Sequence, residues 1–385
     1  MIKGFFAALI SAVVLFAAGG ITAALFGTKD LEYTEAVEQL EWNGDGFGTL
    51  NETFTGEKTW YFGELADVRH IAVSSSSVKT YIAPSTNGRL SVSAQSNDWK
   101  EMSVKATYTD GVLDISVGGR EFGSFVFNAG NLGTVIISVP DMIYDSLTLD
   151  VGSGTLEAIG IAAEKNEFDV GSGHFEYEQK LGFTADMLTL DMGSGSVKIS
   201  NAAAEQYYIL MGSGSFDISG LTGTGKIDVG SGSGTAEFAE IDRSNVFDLG
   251  SGKLTVYIPG DTRADLYTYI GSGVVTVDCG GVSQRVNDDR HITLGGGSND
   301  VVTLTADLGS GKVELLDSSG YKKPGMFGDF PNTFPSDIAV IDEATVIGEQ
   351  YNNSGAEYIG EVTFAESKAY KPYLEYATTT ETILY

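Results

Sequence analysis

An aspartate stands two residues before six of the eight Gly-Ser-Gly tripeptides in this chain: Asp150, Asp169, Asp191, Asp228, Asp248 and Asp307. Leu210 and Tyr269 hold the place in the other two. Carboxylates returning at one position of a repeat are the oxygen ligands that Ca²⁺ accepts flexibly, so a bridged ladder is one reading of them. In the simpler reading each is solvated or accepts hydrogen bonds from serine hydroxyls and turn N–H groups. Other chemistry is thinly represented. His70, His174 and His291 are the three histidines, and none has a partner at metal-ligand spacing. His174, beside Gly173, reads as an exposed turn residue rather than a base. Gly230-Ser231-Gly232-Ser233-Gly234 is no nucleophile elbow, because its serines stand second and fourth. No P-loop pattern, with Gly-Lys-Ser/Thr leading from a strand into a helix, follows any Ser-Gly run. Cys279 is the single cysteine, which excludes an intramolecular disulfide and a multi-cysteine metal site; its strand-like surroundings read as those of a buried thiol. Aromatic platforms for carbohydrate inside the repeats would need Tyr207, Tyr208, Tyr267 or Tyr269, which read more simply as strand-surface residues. No catalytic constellation emerges, and no cofactor is expected beyond the Ca²⁺ reading.

The charge narrows the partners. Asp and Glu number 52 against 23 Lys and Arg, a net charge of -29. Nucleic acid, bound largely through Lys and Arg contacts to phosphate, is excluded as a partner class. Anionic lipid headgroups are disfavoured for the same reason.

The element that must position these residues is the repeat itself. Its corner glycines are Gly152 and Gly154, Gly171 and Gly173, Gly193 and Gly195, Gly212 and Gly214, Gly230 and Gly232, Gly250 and Gly252, Gly271 and Gly273, and Gly309 and Gly311. The first six gaps are 19, 22, 19, 18, 20 and 21 residues, and the last, of 38, holds a degenerate copy at Gly295-Gly296-Gly297. A period near 20 marks units that bury their apolar faces only by stacking. In Leu149-Asp150-Val151 the alternation points Leu149 and Val151 inward and Asp150 outward, and Leu156 and Ala158 resume the inward set. Gly-Ser-Gly is expected to turn the chain through positive φ. Parallel stacking would set the aspartates about 4.8 Å apart. The rival arrangement is an antiparallel meander with Gly-Ser-Gly as a hairpin loop. Val135 to Pro140 and Leu254 to Pro259 are cousins, each followed 12 residues later by a Gly-Ser-Gly, which suggests two copies of a larger unit.

Taken in order, residues 1–27 contain an uncharged run, Gly4 to Gly27, between Lys3 and Lys29. It is long enough to span a bilayer as a signal anchor, and the flanking charges place the C-terminal remainder of the chain outside. Small residues at Ala17-Ala18-Gly19 and Thr22-Ala23-Ala24 also offer a cleavage site, in which case the chain is secreted. Residues 28–66 read as a juxtamembrane spacer with a short acidic helix over Leu31 to Leu40. Residues 67–316 read as the repeat domain and 317–385 as a C-terminal cap or extension.

Over 68–316 the chain resembles the putative-adhesin family of bacterial envelope proteins, through Val135 to Pro140, Leu147 to Gly154 and the recurring Gly-Ser-Gly corners. That resemblance implies an all-β, right-handed parallel β-helix-like solenoid held outside the membrane, and it supplies no catalytic residues. The expected protein is therefore a non-catalytic surface protein with one N-terminal transmembrane helix. It would contact envelope or foreign-surface ligands in adhesion, scaffolding or sensing. A polysaccharide-degrading β-helix enzyme acting outside the cell is the alternative.

Overall fold

The computed structural model describes residues 37–39, 48–62, 67–85, 88–97, 100–119, 132–241, 243–295 and 301–321, and the backbone of four short strands between 344 and 364. Two compact units are present: Ala36–Pro84 with Arg89–Pro324, and Met1–Glu35 with Ser85–Gly88 and Gly325–Tyr385. In the second, Ala344–Val346 pairs antiparallel with Val362–Phe364, and Gln350–Tyr351 with Tyr358–Ile359.

The first unit is a stack of rungs. Each rung puts one strand in a first sheet, turns a corner, and puts the next strand in a second sheet. Ile143–Val151 pairs in parallel with residues 165–170, which pair with Ala185–Met192, then Ala204–Met211, Thr224–Val229 and Ser244–Leu249. After the corners, residues 155–159 pair in parallel with His174–Gln179, then Ser196–Ser200, Ser215–Leu221, Ser233–Phe238 and Lys253–Ile258. Parallel pairing at one-repeat offsets excludes the meander, whose neighbours would be antiparallel. The fold is all-β and solenoid-like. Leu149, Val151, Leu156 and Ala158 are all fully buried while Asp150 is exposed, as the alternation requires. Two buried amides interrupt the apolar interior: Asn166 is bonded to the Tyr177 hydroxyl at 3.3 Å, and Asn245 accepts from the Tyr207 hydroxyl at 2.5 Å. Such groups are tolerated inside because they are paired.

The corner glycines correct an expectation. None of the sixteen has a positive φ. Glycine is required at the second position of each corner because the preceding rung passes too close for a side chain. A Cβ on Gly173 would stand 2.6 Å from the Gly154 carbonyl oxygen, and one on Gly195 would stand 2.5 Å from that of Gly173. Backbone hydrogen bonds run through the corner without a break, with Ser172 N–H donating to Gly152 O at 2.8 Å and His174 N–H to Gly154 O at 2.9 Å.

Rung order is a second correction. Val302–Leu308 pairs with Ser244–Leu249 on one side and Ala264–Ile270 on the other, so the Gly309 corner lies between those of Gly250 and Gly271. Gly295 is not a corner; it has φ +73 and follows Arg290–Leu294, which pairs antiparallel with Ala264–Ile270. At the other end His70–Ser75 lies between Val112–Gly119 and Ile143–Val151. In stacking order the first-sheet strands thus begin at residues 112, 70, 143, 165, 185, 204, 224, 244, 302 and 264, ten rungs among the described residues. The cousin segments ending at Pro140 and Pro259 now have a physical meaning. Each precedes a crossing that skips one rung, filled by residues 70–85 at one end and 302–317 at the other.

Antiparallel strands close both ends. Met102–Thr109 and then Gly48–Phe54 add to the first sheet, and Ser91–Ser96 and then Glu57–Tyr61 to the second. Residues 48–61, expected in the spacer, are therefore strands. Val37–Gln39, expected as helix, is a strand pairing with Glu57–Tyr61. At the far end Arg290–Leu294 and Val282–Val286 cover the last rung; the expected cap over 317–385 lies, apart from 317–321 and the four short strands, outside the described residues. The expected span in residues 1–27 lies outside the described residues, among which no helix is long and apolar enough to cross a membrane.

The corner geometry makes a quantitative prediction. Gly173→Ala sets a Cβ against backbone that cannot yield cheaply and should cost about 1–3 kcal/mol, the usual penalty of overpacking. Gly320→Ala, with nothing within 4 Å of the added carbon, should be near neutral. Denaturant melts of the two variants check this.

Candidate functional site: two outward faces beside the corner

The register sorts the outward side chains into rows. On the first sheet Asp150, Asp169 and Asp191 are successive partners, Leu210 interrupts, Asp228, Asp248 and Asp307 come next, and Tyr269 ends the row. Burial, with the carboxylates of Asp150 and Asp191 on either side, raises the Asp169 carboxyl above its ordinary range. Two of the second three share one lysine of the same chain. Lys226 Nζ lies 2.9 Å from Asp228 and 2.8 Å from Asp248. Its hydrogen bonds to those two carboxylates, and their charges, raise its own pKa against a smaller opposing effect of burial. Among the described residues no group of three or more His, Cys, Asp or Glu is placed to hold a metal ion. Tyr208, Tyr267 and Tyr269 are exposed on this face, whereas Tyr207 faces the core.

The second sheet carries the denser arrangement. The residue after each corner forms one row: Thr155, His174, Ser196, Ser215, Ser233, Lys253, Lys312 and Val274. Two residues on, Glu157, Glu176, Lys198, Asp217, Thr235, Thr255, Glu314 and Thr276 form the next. Opposite charges meet across rungs, with Lys198 Nζ 3.1 Å from Glu176 and Lys253 Nζ 2.7 Å from Glu314. Lys79 Nζ lies 3.3 Å from Glu157. Beside these rows the corner serines and glycines line a shallow groove of about 660 Å³, running from Ser153 to Ser215.

His174 sits in that groove. Its Nδ1 is 2.6 Å from Ser196 Oγ and its Nε2 is 2.9 Å from Glu176 Oε1. Burial alone would raise the Glu176 carboxyl; hydrogen bonds from His174 and Lys198, with their charges, outweigh it and hold the group at about 2. Glu176 is therefore ionised and accepts only, so when the imidazole is neutral its proton sits on Nε2 and Nδ1 accepts from the Ser196 hydroxyl. The expectation that His174 is a simple turn residue misses this. The signal was present in the sequence: aligning the repeats on their corners puts His174 and Ser196 at the same position, with Glu176 two residues on. His70 has a looser version, 2.8 Å from Ser146 Oγ but 3.9 Å from Asp145. His291 stacks on Tyr267 at 4.7 Å and bonds Asp265 at 2.9 Å. Cys279 is buried, and burial together with the carboxylates of Asp317 and Asp278 pushes its thiol up to about 12.

The family model of Toastrack DUF4097 matches residues 68–316. The chain belongs to this family. The Toastrack match coincides with the run of rungs, and it is consistent with a non-catalytic surface protein. A crystal structure of a putative cell adhesion protein from Clostridium sporogenes is similar at 14% identity, covering 70% of this chain and 100% of that one, with a TM-score of 0.25. A likeness at that score carries no argument. No curated protein matches the chain.

Three predictions test the electrostatics of this Toastrack domain. The folded Glu176 carboxyl releases its proton more readily than the ordinary value of 4.5, so its stabilisation is full above about pH 4.5 and is lost as pH falls toward 2. Glu176→Gln should cost about 1–3 kcal/mol at pH 7 and flatten the acid side of a stability profile. Lys226→Ala should cost about 1 kcal/mol or less, as expected of a partly exposed pair, and added NaCl should restore part of it. The melt of the unaltered chain should be the same in EDTA and in millimolar Ca²⁺.

Proposed function

We propose that the chain is a surface protein of the bacterial envelope whose role in adhesion, or in envelope scaffolding and sensing, is non-catalytic. Residues 1–27 tether it, or direct its secretion if cleaved; 28–66 lead to the repeat domain of 67–316 outside the membrane, and 317–385 extend it. Its coil is right-handed, the hand that parallel crossover connections almost always take. The observation that supports the reading is the unbroken parallel register. The register repeats one outward position at each rung along the corner, so an extended ligand meets similar groups at a regular spacing. Weak contacts then add through effective concentration rather than through a single deep site. The acidic charge leaves cell-envelope or foreign-surface molecules as partners and disfavours nucleic acid.

The alternative, a polysaccharide-degrading enzyme, needs a pair of carboxylates open to a sugar chain. Glu157 and Glu176 are register partners, but they are 7% and 4% exposed and are tied to Lys79, Lys198 and His174. Their placement favours the binding role.

The fluorescently labelled full chain in detergent micelles should bind either bacterial envelope fragments or foreign cells and matrix, with half-saturation below micromolar and weakening when rungs are deleted from the middle of the stack. Preference for foreign surfaces selects adhesion, and preference for envelope selects scaffolding or sensing. Binding to neither, with release of sugars from an acidic polysaccharide, would replace this reading with the enzymatic one.

A further inference from the structure

The strongest feature outside the proposed binding role is the hydrogen-bonded chain Ser196–His174–Glu176. Its three side chains come from neighbouring strands of the second sheet and all point outward. Ser196 Oγ to His174 Nδ1 is 2.6 Å, and His174 Nε2 to Glu176 Oε1 is 2.9 Å. The two ends differ in the way such a relay needs. Glu176 is buried and pinned by Lys198 at 3.1 Å, while the His174 side chain is 37% exposed and lines the groove with Ser196. A hydroxyl bonded to a base, itself oriented by a third group, is the arrangement that activates a serine, and it is recognised by geometry rather than by sequence order. The geometry points to Ser196 as an activated nucleophile that takes an acyl group from a carboxylic ester, with His174 as its base and Glu176 as the positioning residue of the imidazole.

The step balances with the groups present. Ser196 Oγ attacks the ester carbonyl carbon as its proton passes to His174 Nδ1. The tetrahedral intermediate collapses by breaking the bond to the alcohol oxygen, which leaves with the proton from Nδ1. The product is an acyl ester on Ser196 and a free alcohol, and water activated at the same nitrogen returns the serine and a carboxylic acid. The hydroxyl-lined groove suits an ester borne on an extended hydroxyl-rich molecule.

Other serines provide internal controls. Ser215 is the next register partner of Ser196 but has no imidazole beside it. Ser146 has His70 at 2.8 Å, but there the acidic group is 3.9 Å away and exposed.

The test treats the full chain with a reporter-bearing fluorophosphonate and maps the adduct by peptide mass spectrometry. The expected result is one adduct, on Ser196, abolished in Ser196→Ala and unchanged in Ser215→Ala and Ser146→Ala. His174→Asn, which keeps a hydrogen bond to Ser196 without a base, should label at least tenfold more slowly while melting as the unaltered chain does. Glu176→Gln should slow labelling and displace its pH profile, with Glu176→Asp recovering part of the rate. A purely structural Glu176 would leave that profile in place. No adduct on Ser196, equal labelling of Ser196, Ser215 and Ser146, or undiminished labelling in His174→Asn would overturn the proposal.

Discussion

The structure depends on one close approach. At each corner the second glycine of a rung meets the carbonyl oxygen of the equivalent glycine one rung before, at separations that leave no room for a Cβ. Gly214 over Gly195 and Gly232 over Gly214 are among the tightest, with an added carbon falling 2.3 Å from oxygen in each. That contact keeps the corner in line with the ladders on either side. Gly212 N–H donates to Met192 O and Ser215 N–H to Gly195 O, so neither sheet ends where the chain bends. A bulkier corner would push the rungs apart and leave backbone donors without acceptors, which is costly in a buried ladder. The corner sets the register, and the register sets the outward rows.

A stack of parallel strands leaves an exposed edge at each end, and both edges here are handled alike. The chain lays down a rung, makes an antiparallel excursion that covers the terminal rung, and fills the skipped position. Residues 70–85, 91–119 and 133–151 do this at one end, and residues 244–258, 264–294 and 302–317 at the other. The terminal edges are thereby paired with strands of opposite direction, so the repeats do not continue as a template for further copies.

Charge is distributed differently on the two sheets. The first carries aspartates in register, of which Asp228 and Asp248 are bridged by Lys226. The second sets basic groups beside acidic ones, so that Glu176 is held at about 2 by His174 and Lys198, and Glu314 at about 2 by Lys253 and Lys312, once the opposing effect of burial is overcome. A chain with 29 excess negative charges thus keeps part of its positive charge beside later corners, where Lys253 and Lys312 line a second groove with Ser231, Ser251 and Ser310. That is the face on which His174 and Ser196 meet.

The sequence alone determined the local rules. Alternation in Leu149-Asp150-Val151 is set by the pleat, which sends neighbouring side chains to opposite faces wherever the strand is placed. The recurring Gly-Ser-Gly fixed the length of a rung and which residues share a row, because equal spacing from a corner means equal position in the ladder. Three things were decided by tertiary structure. Which rung stacks on which depends on pairing between segments far apart in the chain, as with Val246 and Thr305, and nothing local encodes that choice. The reason for the glycines, crowding by a neighbouring rung rather than a turn through positive φ, exists only once two rungs touch. The contact of His174 with Ser196 spans 22 residues and depends on parallel register, so their chemistry could not be read from either residue's own surroundings.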